Sequence, residues 1–127
     1  MTGKLTRILY VEDEPDIQMV ARLALEAIGG YTVEICSSGA DALTRAPTFH
    51  PQLILLDVMM PGMDGPTTLK NLRELPDFSA TPVVFMTAKV QPGEVTEYHA
   101  LGAIGVIPKP FDPMTLSAQV QAIWEKL

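Results

Sequence analysis

The run Leu53-Ile54-Leu55-Leu56, closed at once by Asp57, sets the strictest limit on what this chain can become. Four consecutive apolar residues leave no polar face. A strand of this kind is covered on both sides, as in a parallel sheet lying between helices. Pro61, Gly62 and Gly65 follow, and such turn residues stop the strand. The Asp57 carboxylate therefore belongs at the carboxyl end of a central strand, the edge where open α/β sheets bind ligands. A lone Asp there would more often only cap a loop. Asp57 is not alone, because other short apolar runs in the chain also end on charged or hydroxyl residues.

Taken in order, Ile8-Leu9-Tyr10-Val11 reads as the first strand and ends in Glu12-Asp13-Glu14. Pro15 suits the first turn of a helix, where its missing N–H matters little, with Asp13 as the N-cap. Ile17, Val20, Ala21, Ala24 and Ile28 recur at helical spacing and predict one buried stripe, ended by Gly29-Gly30. Tyr31 to Cys36 is the second strand. Ser37 or Ser38 caps a short helix carrying Ala42 and Leu43, expected to end before Pro47. After the Leu53–Leu56 strand, Asp64 caps a helix with Leu69 and Leu72 that finishes at Pro76. Val83 to Met86 is the fourth strand, with Thr87-Ala88-Lys89 just beyond it. A helix over Gly93 to Leu101 places Gly102 at C′. Gly105 to Pro108 is a short fifth strand, expected at an edge because Pro cannot donate to a ladder. The last helix should bury Leu116, Val120, Ile123 and Leu127.

Strands thus alternate with helices throughout, which implies an α/β fold with a parallel sheet between helical layers. Right-handed crossovers and the common order 2-1-3-4-5 give a flavodoxin-like (βα)5 three-layer sandwich with a five-stranded sheet. In that order the ends of strands 1, 3, 4 and 5 are neighbours in space. The 127 residues are expected to form a single domain, 1–127, with no output domain.

Composition narrows the function. Nine Lys and Arg against fifteen Asp and Glu give a net charge of −6, a poor match to nucleic acid phosphates. The single cysteine, Cys36, excludes an intrachain disulfide. No apolar run approaches the ~18–20 residues of a membrane span. Met1-Thr2-Gly3-Lys4 leads toward a strand rather than a signal peptide. A cytoplasmic protein is expected, with neither membrane insertion nor direct nucleic acid binding.

The residues gathered at the strand ends are Glu12, Asp13, Asp57, Thr87 and Lys109. Three clustered carboxylates repel one another unless a cation joins them. Their oxygens suit a hard ion such as Mg²⁺. Lys109 can neutralise further charge, and the Thr87 hydroxyl can donate to an incoming anion. No Gly-rich phosphate loop follows the first strand, which argues against a bound nucleotide. His50 and His99 fall outside the cluster, and no Ser/His/Asp or Cys/His set is present. The arrangement suits a carboxylate that accepts a phosphoryl group, with charge stabilisation as the protein's main task.

These features resemble the receiver domain of two-component response regulators, in its chemotaxis-response-regulator-like form. The resemblance runs from Arg7 to about Leu127. It rests on Val11-Glu12-Asp13-Glu14, the Asp57 to Gly65 stretch, Thr87-Ala88 and Lys109-Pro110-Phe111, four pieces in characteristic order and spacing. It implies that Asp57 is the phosphoacceptor, served by a phosphohistidine of a sensor histidine kinase or histidine phosphotransfer protein. Asp13 and Asp57 would ligate Mg²⁺ directly together with the Met59 carbonyl, and Glu12 would act through a water. Lys109 would pair with Asp57 at rest and with a phosphoryl oxygen afterwards. Thr87 would swing toward that group, and the Ala88 N–H would help to bind it. The Lys109–Pro110 peptide would be cis. The signal would leave through the face made by the fourth helix, fifth strand and last helix, to a downstream protein or a second copy of the chain. Val106 stands where receivers often carry a Tyr or Phe whose rotation reports phosphorylation, so Thr87 and the loop after it should carry the change.

Two other readings compete. An interaction module with this fold would not need the acidic pair together with Asp57, Thr87 and Lys109. A phosphatase of the haloacid-dehalogenase kind places a second Asp two residues after its nucleophile, where this chain has Met59. Self-phosphorylation and slow self-hydrolysis are expected, but not metabolic catalysis.

Overall fold

The apolar runs become five parallel strands: β1 (Arg7–Val11), β2 (Thr32–Cys36), β3 (Leu53–Asp57), β4 (Val83–Thr87) and β5 (Gly105–Pro108). Their order is β2-β1-β3-β4-β5, the predicted flavodoxin-like arrangement, with β5 at an edge. The computed structural model describes residues 3–127; the first two residues of the segment read as leading into β1 lie outside the described residues. The helices are α1 (Pro15–Arg22), α2 (Gly39–Phe49), α3 (Gly65–Glu74), α4 (Pro92–Ala100) and α5 (Leu116–Glu125).

Side chains alternate across the pleat, so each central strand feeds two cores. Leu9, Val11, Ile54, Leu56, Val83 and Phe85 pack with Ala42, Leu69, Leu72 and Tyr98 of α2, α3 and α4. Ile8, Tyr10, Leu53, Leu55, Val84 and Met86 pack with Ala21, Leu116, Val120 and Trp124 of α1 and α5. Leu53 to Leu56 have no exposed surface at all, as a strand apolar on both faces requires. Phe85 and Tyr98 meet edge to face, with ring centres 5.4 Å apart.

Capping follows the sequence in part. Ser38 accepts from the Asp41 N–H at 3.0 Å, and Asp64 accepts from the Thr67 N–H at 2.9 Å. Gly102 sits at C′ of α4 with φ +111°. The N-cap of α1 is Glu14 rather than Asp13, and its side chain makes no capping bond. α2 does not end before Pro47 but runs through it to Phe49. The helix survives because Pro47 lies in its last turn, and His50, at φ 57°, donates its N–H to the Ala46 carbonyl.

The predicted stripe on the first helix is only half right. After Arg22 the helix widens into a π-helical segment, Leu23–Ile28, where the Gly29 N–H bonds back to the Ala24 carbonyl. The wider turn rotates the buried face. Ala21, Ala24 and Leu25 are buried, whereas Val20 and Ile28 are 39% and 52% exposed. On α5, Leu127 falls beyond the helix end and is exposed. Trp124 is buried in its stead, its indole N–H donating to the Gly3 carbonyl at 2.8 Å.

Candidate functional site

Strand register assembles the site. Val11 pairs with Leu56, so the next residues, Glu12 and Asp57, leave the sheet side by side. On the other flank Asp57 pairs with Met86, and Thr87 pairs with Pro108. The Lys109 N–H donates to the Thr87 carbonyl at 2.9 Å, extending the ladder by one bond. The Lys109–Pro110 peptide is cis. Glu12, Asp13 and Asp57 each offer an oxygen within 4.8 Å of the others.

Close backbone packing holds Asp57 in place. A Cβ on Gly65, the first residue of α3, would lie 2.6 Å from the Asp57 carbonyl oxygen and 2.8 Å from the Val58 Cα. The Gly65 N–H bonds to the Val58 carbonyl at 2.9 Å. Only a residue without a side chain fits between α3 and the end of β3.

The site is held by an ionic network. Lys109 Nζ lies 2.8 Å from Glu12 Oε1 and 3.3 Å from Asp57 Oδ2. The Tyr10 hydroxyl donates to the same Glu12 oxygen at 3.2 Å, and the Glu14 N–H donates to the other at 3.2 Å. Glu12 has no exposed surface and Asp57 is 3% exposed. Burial alone would raise the Glu12 carboxyl, but the bonds from Lys109 and the Glu14 N–H outweigh it and hold it below its ordinary value. Asp57 goes the other way: burial and the charge of Glu12 push it up to about 6 against the pull of Lys109. Burial and the Glu12 charge also raise the Tyr10 phenol, which stays a donor.

The other sequence candidates are placed as follows. Asp13 is half-buried and belongs to the carboxylate cluster. Met59, two residues beyond Asp57, is 64% exposed. Thr87 is buried, and its hydroxyl accepts from the Lys89 N–H at 3.0 Å. Ala88 is exposed just beyond β4. His50 ends α2, and His99 Nδ1 lies 3.0 Å from the Ala103 carbonyl, both outside the network. Burial and Asp41 push the Cys36 thiol up to about 11, which leaves it a core residue. A cleft of about 650 Å³ between α3 and α4, lined by Pro66, Lys70, Arg73 and Leu101, contains none of the clustered carboxylates.

Sequence reasoning missed Tyr10 and the Lys109–Glu12 pair. The signal for Tyr10 was present: residues i and i+2 of a strand share a face, so a Tyr two positions before a buried Glu can reach it. Lys109 lies nearer to Glu12 than to Asp57, and the sequence shows a Glu at position 12 but not where its carboxylate points.

A doubly wound α/β domain with a lysine-capped acidic pocket at the carboxyl ends of its strands is thereby defined. Residues 8–121 match the family model described as response regulator receiver domain, and the chain belongs to that family. The transcriptional activator protein IrlR of Burkholderia pseudomallei is 41% identical over 117 residues, covering 92% of this chain and 49% of that protein. The response regulator Rre1 of Synechocystis is 34% identical over 114 residues, 90% of this chain and 49% of its own length. The chain thus spans about half the length of the curated relatives it matches. Among solved structures, the chemotaxis protein CheY4 of Vibrio cholerae superposes with a TM-score of 0.86 at 32% identity, over 94% of this chain and 99% of that one. Among the described residues, no helix is long and apolar enough to cross a membrane.

Proposed function

We propose that this receiver accepts a phosphoryl group on Asp57 from a phosphohistidine of a sensor histidine kinase or phosphotransfer protein. The observation that carries this reading is the pairing of buried Asp57 with Lys109 inside a cluster of three carboxylates. An Asp57 oxygen attacks phosphorus while the P–N bond breaks, its electron pair leaving on the imidazole. Burial and the charge of Glu12 raise the Asp57 carboxyl in the metal-free protein, and attack uses its ionised form. The hard oxygen donors of Glu12, Asp13 and Asp57 fit Mg²⁺, and the Met59 carbonyl would serve as a further ligand. Bound there, Mg²⁺ supplies positive charge to the transferring phosphoryl oxygens.

Lys109 turns from the carboxylates to a phosphoryl oxygen. Thr87 releases the Lys89 N–H and donates its own hydroxyl to the new anion, and the Ala88 N–H donates beside it. The altered β4–α4 loop then signals through the α4–β5–α5 face to a downstream protein or a second copy of the chain. Residues 1–127 act as one receiver unit in the cytoplasm, without metabolic turnover beyond slow self-dephosphorylation.

Acetyl phosphate with Mg²⁺ tests the acceptor. It should add one acid-stable, base-labile phosphoryl group, and Asp57→Asn should abolish it. Labelling of that variant at wild-type yield would move the acceptor elsewhere.

A further inference from the structure

Glu12 is fully buried and takes three donors: the Tyr10 hydroxyl and Lys109 Nζ on one oxygen, the Glu14 N–H on the other. Two of these are fixed. Glu14 donates from the main chain, and the Tyr10 ring is locked, fully buried, in the core beneath the site. Lys109 alone can swing, on a flexible stem whose side chain is 16% exposed. Given the proposed phosphoacceptor role, on which this inference rests, Lys109 must leave Glu12 to reach the phosphoryl group. Its departure removes the charged donor from Glu12 Oε1 and leaves the Tyr10 hydroxyl as the remaining protein donor to that oxygen. An orphaned buried acceptor is expensive, and a charged one more so.

We propose that Tyr10 is a positioning residue for this exchange. Its hydroxyl keeps Glu12 Oε1 hydrogen-bonded and in place after Lys109 departs, so that the lysine can switch partners without stranding a buried carboxylate. Filling the core does not explain the hydroxyl, since a phenylalanine would pack there as well. The hydroxyl addresses Glu12 because the two residues share one face of β1 and its extension.

The variant Tyr10→Phe in the full chain separates this role from packing. Calorimetry should find Mg²⁺ affinity, measured alone, within about twofold of wild type, because Lys109 and Glu14 still hold Glu12. With Mg²⁺ saturating, the affinity for beryllofluoride, a phosphoryl mimic, should fall about tenfold. In a Glu12→Asp background, whose shorter side chain cannot reach the hydroxyl, Tyr10→Phe should change beryllofluoride affinity by less than about twofold. Equal weakening of both ligands, or the same loss in the Glu12→Asp background, overturns the inference, as does an unchanged beryllofluoride affinity. A second measurement uses the unsubstituted protein with ¹³Cζ-labelled tyrosine. The Tyr10 resonance should move on adding beryllofluoride to the Mg²⁺-loaded protein, and a stationary resonance overturns the inference. If wild type binds no beryllofluoride at all, the phosphoacceptor reading itself fails, an outcome distinct from each of these.

Discussion

Lys109 leans toward Glu12, 2.8 Å away, rather than toward Asp57 at 3.3 Å. A single ammonium serves two buried carboxylates, and the nearer one keeps its charge more firmly. Glu12 is held below its ordinary value while Asp57 is pushed up to about 6. The residue proposed to react is thus the less stabilised member of the pair.

Removing the ammonium should therefore make stability depend on pH. In Lys109→Met both carboxylates lose their counter-ion, and their folded values rise above the unfolded ones. The folded state then binds protons more tightly, so stability falls as pH increases. Urea unfolding without Mg²⁺ should show a loss of about 3 kcal/mol at pH 8 and a smaller loss at pH 5. A loss independent of pH would mean that the lysine stem, not its charge, matters.

Asp57 itself is expected to weaken the metal-free fold. Its folded value of about 6 lies above the ordinary 3.8, so its contribution is least unfavourable below pH 4 and worsens as pH rises through 6. Asp57→Asn removes that burden. The variant should be more stable than wild type by about 1–3 kcal/mol at pH 8 without Mg²⁺, with the difference shrinking toward pH 4. Denaturant midpoints across that range measure it.

Asp13→Asn should weaken Mg²⁺ binding by about tenfold or more, the equivalent of ~1.4 kcal/mol. Asp13 is half-buried and outside the Lys109 network, so the fold should tolerate the change. Isothermal calorimetry reads the affinity directly, and an unchanged value would remove Asp13 from the ligand set.

Activation should announce itself at one amide. At rest the Lys89 N–H is bonded to the Thr87 hydroxyl at 3.0 Å. If Thr87 turns to a phosphoryl group, that bond breaks. Hydrogen exchange with Mg²⁺ and beryllofluoride should speed at Lys89, with changes centred on 87–93 and reaching 104–111. Thr87→Ala should exchange fast at Lys89 in both states. Changes confined to α1 would mean that the α4–β5–α5 face is not the output surface.

Much of this was legible in the sequence because parallel strands announce themselves as apolar runs and their polar ends fall in register. Leu53 to Leu56 demanded cover on both faces, and Asp57, Thr87 and Lys109 then had to meet. The misses have local causes. A period of 3.6 misplaces Ile28 once the helix widens at Leu23, while Val20, which precedes that segment, is exposed on the regular part of the helix. Pro47 breaks no helix when it falls in the final turn. Leu127 loses its place to Trp124, which gains a hydrogen bond that no periodicity records. Tyr10 was hidden inside an apolar run because its hydroxyl is the one polar atom there, and only the third dimension gives it a partner.

Trp124 has a practical consequence. It is the only tryptophan in the chain, and its indole is tied to Gly3, ahead of the amino end of β1. The carboxylates lie at the other end, a strand's length of roughly 16 Å away. Intrinsic fluorescence will therefore follow denaturation, whereas Mg²⁺ or beryllofluoride filling the acidic pocket reaches Trp124 only indirectly, through α5. An optical assay of activation needs a fluorophore introduced near the β4–α4 loop, with Trp124 kept as the internal gauge of whether the molecule is still folded.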